Sequence, residues 1–215
     1  MNNIKKRFQI LSGRMRISDC LRCEDFPCVN VNKDSYVIPE IDVKPSTVKM
    51  VMISESAPKD LSDYYYASGA PLFERTTVQA FKDAGLEVNS INDLLNRGMY
   101  FTTAIKCGKI EYSIKATEIK ECSEILEKEL DLFPGIKVIM LMGDVPIKAL
   151  NYISRRRFGK KAIPAGSTYK IRKQNYSYDG KRVFPSYLQA GPAFFIEKSK
   201  RRMIKEDIKN ALEVL

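Results

Sequence analysis

Histidine and tryptophan are both absent from this sequence of 215 residues. Histidine is the commonest general acid–base residue and the commonest metal ligand, so any catalysis must use carboxylates, hydroxyls, backbone dipoles or a bound metal. Without tryptophan, aromatic stacking falls to Phe and Tyr. The sequence also shows no signal-peptide pattern and no apolar run long enough to span a bilayer. We therefore expect a cytoplasmic protein with no membrane partner.

Negative charge is scarce relative to positive charge. The chain has 36 Lys and Arg against 26 Asp and Glu, which gives a formal net charge of +10 and a pI near 9.3. This balance predicts a polyanionic partner, most simply nucleic acid, although a solubilising surface charge would give the same total. Clustering of the basic residues favours nucleic acid. The clusters are Arg155, Arg156, Arg157, Lys160 and Lys161; Lys170, Arg172 and Lys173; and Lys198, Lys200, Arg201 and Arg202.

Five cysteines are present, and four of them form two distant pairs. Cys20 and Cys23 form a Cys-x-x-Cys, Cys28 follows closely, and Cys107 and Cys122 lie far downstream. In a reducing cytosol a disulfide framework is not expected. Clustered thiols in such a protein more often bind a metal or a metal cluster. The alternative is that they are buried free cysteines, which pack as small hydrophobic side chains.

Apolar runs alternate with amphipathic segments along the chain. Strands are predicted at 48–54, 99–105 and 137–142, with shorter ones at 169–172 and 182–185. Helices are predicted at 76–84, 91–96, 116–132, 146–154 and 197–214. Near-continuously apolar strands that alternate with helices indicate a parallel sheet that is covered on both faces.

The amino-terminal region differs from the rest of the chain. Residues 3–17 predict an amphipathic helix. Residues 20–45 contain three prolines and little periodicity, which indicates an irregular arm wrapped on the body. The length suits one core, so we expect residues 1–215 to form a single domain, with the helix and the cysteine-bearing arm in 1–45.

In parallel sheets, ligands bind beyond the carboxyl ends of the strands. The loops after Ser54, Ile105, Met142 and Val183 are therefore the expected ligand site, and short motifs lie in or beside them. These motifs are 53–58 (Ile-Ser-Glu-Ser-Ala-Pro), 69–73 (Gly-Ala-Pro-Leu-Phe), 102–107 (Thr-Thr-Ala-Ile-Lys-Cys), 118–122 (Glu-Ile-Lys-Glu-Cys), 141–145 (Leu-Met-Gly-Asp-Val) and 184–186 (Phe-Pro-Ser).

In order and spacing, these motifs resemble the uracil-DNA glycosylase superfamily, and most of all its iron–sulfur branch, family 4. The corresponding family motifs are Gly-Glu-x-Pro-Gly, Gly-x-Pro-Phe, Thr-Asn-x-x-Lys-Cys, Glu-x-x-x-Cys, Leu-Gly-x-x-Ala, and His-Pro-Ser or His-Pro-Ala. Two departures change the chemistry: Phe184 replaces the catalytic histidine, and Thr103 replaces the asparagine that reads uracil. The resemblance implies a three-layer α/β/α fold with a central four-stranded parallel sheet.

The resemblance also implies a cofactor. Cys20, Cys23, Cys107 and Cys122 correspond to the ligands of a [4Fe–4S] cluster with a structural role. Four thiolates suit such a cluster, and they also suit a structural zinc ion. Cys28 could replace one of the four, although its neighbours in the sequence favour packing.

Roles at the site follow from the same resemblance. Glu55 would be the catalytic residue that orients the attacking water and stabilises the positively charged sugar, or a carboxylate that accepts backbone N–H groups. Phe73 would stack on a flipped base or pack in the core. The three tyrosines at 64–66 would be further stacking residues or a loop that covers the sheet edge. Thr103 offers a single hydroxyl to the base, which puts specificity for uracil in question.

Contacts to DNA are expected from the last motif and the first basic cluster. Ser186 would contact the base and, with Pro185, hold the backbone phosphate. Tyr187 or Leu188 would fill the space left by the flipped nucleotide, with a core position as the alternative for Leu188. Sequence-independent phosphate contacts are expected from Arg155, Arg156, Arg157, Lys160 and Lys161.

These features predict a monomeric DNA glycosylase of base excision repair. It would remove uracil or a related deaminated or damaged base from single- or double-stranded DNA. One alternative is a nucleic-acid-binding protein on the same fold without catalysis, which Phe184 and Thr103 favour. A second alternative is a protein of unrelated chemistry that is held together by zinc.

Overall fold

The computed structural model describes residues 13–111 and 113–215. Its strands are β1 (Met15–Arg16), β2 (Val31–Asn32), β3 (Asp42–Val43), β4 (Met50–Ala57), β5 (Met99–Lys109), β6 (Val138–Met142), β7 (Tyr176–Tyr178) and β8 (Lys181–Ser186). Its helices are α1 (Leu72–Asp83), α2 (Ile91–Asn96), α3 (Ala116–Asp131), α4 (Asp144–Phe158), α5 (Thr168–Ile171), α6 (Ala193–Ile196) and α7 (Lys198–Leu212).

A six-stranded sheet lies at the centre of the fold, in the order β2-β5-β4-β6-β8-β7. The four inner strands run parallel, and the edge strands β2 and β7 pair antiparallel with their neighbours. β1 and β3 form a separate two-stranded pairing. The predicted four-stranded parallel sheet is confirmed, and two short antiparallel strands extend it.

Helices cover both faces of this sheet. In β4, Val51 and Ile53 belong to the core beneath α3 and α4, whereas Met50 and Met52 belong to the core beneath α1 and α7. Strands that are buried on both faces need apolar residues at successive positions, which explains the continuous apolar runs in the sequence. The predicted three-layer α/β/α architecture is therefore confirmed. Within the described residues, no helix is long and apolar enough to cross a membrane.

The helix predicted at 3–17 lies mostly outside the described residues. Its last part is not helical, because Met15 and Arg16 form β1 and pair with Val43 and Asp42 of β3. The short pairing fixes the start of the described chain against the segment that leads into β4.

The strand predicted at 169–172 is wrong, because this segment forms α5 and its helical end. Tyr169 and Lys170 are exposed, while the Arg172 side chain reaches inward and donates to Asp207 at 2.9 Å. The segment therefore lacks the apolar row that a strand in this sheet would need.

The irregular arm at 20–45 lies against the edge of β5; the sequence predicts an arm on the body but not this position. β2 pairs with the end of β5, and the Val37 N–H donates to the Lys106 carbonyl oxygen at 2.8 Å. The backbones approach so closely that a Cβ on Gly108 would lie 2.9 Å from the Cβ of Ser35. Glycine at position 108 thus lets the arm bring its cysteines next to the end of β5.

The tyrosine segment at 64–66 covers another part of the same edge. The Tyr66 hydroxyl accepts from the Phe101 N–H at 3.0 Å and donates to the Phe101 carbonyl oxygen at 2.9 Å. One side chain therefore satisfies both backbone groups of an edge residue. This geometry confirms the edge-covering interpretation for Tyr66.

Candidate active site

A cleft with two adjoining lobes opens at the carboxyl ends of the parallel strands. The first lobe has a volume of about 630 Å³ and is lined by Ser54, Glu55 and Phe73 among others. The second lobe has a volume of about 520 Å³ and is lined in part by Tyr187. Glu55 and Leu188 line both lobes. Four of the predicted site residues therefore meet in one cleft of the size that small ligands use, roughly 300–1,000 Å³.

Glu55 lies near the end of β4 and faces the start of α4. Burial raises the pKa of Glu55, and the Asp144 carboxylate adds to this effect. Lys109 and the backbone N–H groups of Asp144 and Val145 lower the pKa, because each stabilises the ionised carboxylate. A helix amino terminus thus orients a carboxylate that is only partly solvated. The alternative interpretation of Glu55, a carboxylate that accepts N–H groups of the next turn, differs from the structure, because the backbone donors are Asp144 and Val145 at the start of α4.

Gly143 determines how close Glu55 can come to α4. Its φ of +106° favours glycine, and a Cβ at this position would lie 2.6 Å from the Glu55 Oε1 atom. Any larger residue would therefore displace the carboxylate. The sequence indicates Gly143 as the end of β6, but it gives no sign of this contact.

Phe73 lines the first lobe. Thr103 lies in β5, next to the wall residue Ser54 of β4. Phe73 is half-buried in the first turn of α1, with its ring 5.3 Å from that of Tyr65. Thr103 is fully buried in β5 beside Ser54, its register partner in β4. The Thr103 hydroxyl has no hydrogen-bond partner among the described residues. A buried hydroxyl without a partner is costly. Thr103 lines neither lobe, so a ligand atom would reach it only after the wall of the first lobe moved.

A buried polar network lies under the first lobe, and the sequence gives no signal for it. The Ser54 hydroxyl bonds to the Tyr65 hydroxyl and donates to the Gln189 side-chain oxygen at 3.1 Å. The Gln189 amide nitrogen donates to Tyr65 at 3.1 Å and to Thr77 at 3.3 Å. The network joins β4, α1 and the loop after β8, so it holds three walls of the lobe in fixed positions.

Ser186 is fully buried at the end of β8, and its hydroxyl donates to Asp207 at 2.5 Å. Arg172 binds the same carboxylate. Burial raises the pKa of Asp207, and the hydrogen bonds from Arg172 and Ser186 oppose this shift. The hydroxyl of Ser186 is thus already hydrogen-bonded within the protein, and Pro185 beside it is buried in β8.

Phe184 lies in the core between the sheet and α7, with the Arg182 guanidinium 5.1 Å from its ring. It lines neither lobe of the cleft. Position 184 therefore supplies no acid–base group in place of the histidine found in the family motif.

The basic cluster at 155–161 lies far from Glu55. Helix α4 begins at the cleft and has 15 residues, so its carboxyl end lies roughly 22 Å away along the helix axis. Arg156 and Arg157 form ion pairs with Glu127, and Arg157 also pairs with Asp131. Lys160 and Lys161 line a separate groove with the β7–β8 hairpin. The cluster therefore lies near the amino ends of the parallel strands, away from the cleft.

Four of the five thiols line one small cavity of about 40 Å³ between the arm, β5 and α3. They are Cys23, Cys28, Cys107 and Cys122. Burial raises the pKa of Cys107 to about 12, and the thiols of Cys122, Cys28 and Cys23 add to the shift. Cys20 is exposed and does not line this cavity. The structure thus brings together three of the four predicted ligands and adds Cys28.

No group of three Cys, Asp or Glu side chains in residues 13–111 and 113–215 is arranged to hold a single metal ion. Four thiolates around zinc must each lie about 2.3 Å from the same ion. In a [4Fe–4S] cluster each thiolate binds a different iron, so the sulfurs need not converge on one point. The four thiols of the shared cavity are a donor set that either group could use.

A model of the uracil DNA glycosylase superfamily matches residues 42–210 of the chain. The comparison with curated proteins gives no match. The matched region includes Glu55, the walls of the cleft, Cys107 and Cys122, and it begins after the three cysteines of the arm.

Proposed function

This chain belongs to the uracil-DNA glycosylase superfamily, and we propose that it removes uracil or a related deaminated or damaged base from DNA. The observation that carries the proposal is the Glu55 carboxylate, which is half-buried at the cleft and oriented by the start of α4. A base inside a duplex is out of reach of this carboxylate, so the nucleotide would have to flip into the cleft.

The reaction would be hydrolysis of the N-glycosidic bond. The bond between the sugar C1′ and the base nitrogen breaks, and its electron pair leaves with the base. Glu55 stabilises the positive charge on the sugar and takes a proton from the water that adds to C1′. The departing base receives its proton from solvent, because Phe184 cannot donate one. The proposed enzyme therefore suits bases that leave readily as anions.

Base recognition would rest on Phe73 and Thr103. Phe73 lines the first lobe and would stack on the flipped base. The Thr103 hydroxyl, which has no partner in the described residues, would bond to the edge of that base. This arrangement gives fewer polar contacts than an amide would give, so the base preference follows from one hydroxyl and the shape of the lobe.

We expect Thr103→Val to lower excision at least about tenfold and leave folding intact, because it removes an unpartnered hydroxyl at nearly constant volume. Single-turnover rates and thermal unfolding would measure the two effects. Thr103→Ser keeps the hydroxyl and should retain most of the activity. Equal rates for the valine and wild-type proteins would exclude Thr103 from base recognition.

The rim of the cleft supplies the proposed DNA contacts. Lys148 and Lys200 line the second lobe, and Lys200 lies 5.7 Å from the Tyr187 ring. Tyr187 and Leu188, half-buried at the junction of the lobes, would enter the base stack. These contacts are sequence-independent, as a repair enzyme that searches long DNA requires.

The proposed cofactor is a [4Fe–4S] cluster, for which the apolar cavity and its thiols provide the support. Cys23 would attach it to the arm, Cys107 to β5 and Cys122 to α3. Such a cluster would supply structural cross-linking, while the chemistry of base removal remains with the cleft.

Glu55→Gln tests the proposed activity. We expect its excision rate to fall about 10²–10⁴-fold on oligonucleotides that contain uracil, hypoxanthine or xanthine, while DNA binding is kept. Glu111→Gln is the matched control, since Glu111 lines the same lobe but is exposed. Abasic product would be measured on single-stranded and mismatched substrates. If wild-type protein yields no abasic product on any of them, the enzyme proposal fails.

A second candidate function is nucleic-acid binding without catalysis. Phe184, buried in the core where the family has a histidine, is the observation that favours it. In that case wild-type and Glu55→Gln proteins would bind DNA equally and neither would release a base.

A further inference from the structure

The cavity between the arm, β5 and α3 has a definite set of thiols. Cys23 and Cys28 enter it from the arm, Cys107 from β5 and Cys122 from α3. Its lining includes apolar side chains such as Ile105 and Val31, as expected where a metal cluster is shielded from water.

Cys20 lies in a different place, although it begins the Cys-x-x-Cys motif. It is exposed, and its sulfur lies 3.5 Å from the Arg16 carbonyl oxygen. It lines a groove, open to solvent, that adjoins the cavity, and Cys23, Pro27, Glu121 and Ile125 line both. Of the two thiols of the motif, only Cys23 lines the cavity itself.

The backbone between Cys23 and Cys28 has one unusual residue. Phe26 has a φ of +43°, which is uncommon for a residue with a side chain. Lys33 donates to the Phe26 carbonyl oxygen at 2.8 Å and holds this segment in place. Val29, next to Cys28, is 78 % exposed, so the two neighbours point to opposite sides. Backbone strain of this kind is often found at functional sites.

Polar groups that tune thiolates surround the same cavity. The Lys106 N–H donates to the Cys122 sulfur at 3.2 Å. The Tyr36 hydroxyl accepts from the Cys23 N–H at 2.7 Å and holds this part of the arm in place. Hydrogen bonds to cluster sulfurs are among the features that set the reduction potential of iron–sulfur proteins.

We propose that Cys23, Cys28, Cys107 and Cys122 form the ligand set, so that Cys28 replaces Cys20 as the fourth thiolate. This inference rests on the proposed [4Fe–4S] cluster. It changes the arm motif from Cys-x-x-Cys to Cys-x₄-Cys, and it leaves Cys20 as an exposed thiol outside the metal centre.

The test compares Cys20→Ser with Cys28→Ser in the full chain, purified without oxygen. We expect wild type and Cys20→Ser to contain about four iron atoms and equal visible absorption, and Cys28→Ser to contain fewer than about one. Cys107→Ser is the positive control for loss. Loss of iron from Cys20→Ser, retention of iron by Cys28→Ser, or wild-type protein without iron would each overturn the proposal.

A second measurement covers the case in which Cys28→Ser fails to fold. Wild-type protein is treated with a thiol-alkylating reagent before and after iron chelation, and each cysteine is followed by mass spectrometry. We expect Cys20 to react at once and the other four to react only after chelation. Protection of Cys20 together with early labelling of Cys28 would contradict the ligand set. Neither readout needs glycosylase activity, so a chain that holds iron but excises no base would refute only the proposed function.

Discussion

Glu55 is a residue whose ionised form is disfavoured by burial, and this links its charge to the stability of the fold. Burial raises its pKa above the ordinary value, so the folded state binds the proton more tightly than the unfolded state does. The stability that this proton supplies is fully present below the ordinary carboxyl pKa. It is lost as the pH rises from that ordinary value through the raised pKa of the folded state.

Glu55→Gln should therefore raise the melting temperature at pH 8 and leave it unchanged at pH 4, where the carboxyl is protonated. Wild-type activity should rise with pH through the raised pKa, because in the proposed reaction the ionised form would stabilise the sugar cation. Calorimetry at both pH values and a pH–rate profile would measure these effects. A lower melting temperature for the variant at pH 8 would show that the carboxylate is stabilising.

Gly143 offers a test of the position of this carboxylate. Gly143→Ala should reduce excision at least about a hundredfold, because the added Cβ overlaps the Glu55 side chain. Gly85→Ala is the matched control: its φ of +98° carries similar backbone strain, and a Cβ there would meet nothing within 4 Å. Both variants should lose similar stability, so equal losses of activity would remove the special role of Gly143.

The sequence predicts some site residues and misses others for a clear physical reason. Glu55 and Phe73 can be located because a strand end or a motif marks them. Gln189, Gly143 and the donors at the start of α4 cannot, because their roles depend on contacts between segments far apart in the chain. For the same reason the sequence names Cys28 only as an alternative ligand, since it does not show that this thiol lines a cavity with Cys107 and Cys122.

At the scale of elements, a buried ion pair joins β5 to α3. Lys106 and Glu129 are fully buried, with the ammonium nitrogen 2.5 Å from the carboxylate oxygen. Tyr100 donates to the other carboxylate oxygen at 2.7 Å and Thr102 at 2.9 Å. Every polar atom of the pair thus has partners, which is the condition under which buried charges are tolerated.

Lys106→Met should destabilise the protein by about 3–5 kcal/mol, because Glu129 would stay buried without its partner. Chemical denaturation would measure the free energy of unfolding. Lys181→Met removes a surface pair with Asp179 and should cost no more than about 1 kcal/mol. A similar small loss for Lys106→Met would mean that the buried pair adds little to stability.

The orientation of α4 separates two basic surfaces. Its amino end lies at the cleft with Lys148. Its carboxyl end leads to Lys160 and Lys161, near the amino ends of the strands. The sequence predicts phosphate contacts from the second surface, whereas the cleft favours the first. Because α4 follows β6 in the chain, its amino end lies at the carboxyl ends of the strands, and the order of these elements in the sequence already separates the two surfaces.

Two double variants with the same charge change decide between these surfaces. We expect Lys148→Gln with Lys200→Gln to weaken DNA binding and reduce the slope of log K against log salt concentration by about 1 for each lysine. Lys160→Gln with Lys161→Gln should change neither quantity. The reverse result would place the phosphate contacts at Lys160 and Lys161, as the sequence predicts.

At the scale of the whole molecule, the layers could be predicted and the arm could not. The inner strands are apolar at successive positions, and this pattern fits few arrangements besides a parallel sheet between helices. The arm has no such pattern, and its course depends on individual contacts, such as the close approach of Ser35 to Gly108. Its edge strand β2 has two residues, too few to leave a periodic signal.

The Tyr66 hydroxyl has a consequence beyond the fold of one chain. An open strand edge is a template on which a second chain can add a strand and begin aggregation. Tyr66 hydrogen-bonds to both backbone groups of Phe101, so neither group is open to an added strand. The loss of one oxygen atom, as in Tyr66→Phe, would therefore leave both backbone groups of Phe101 without this partner.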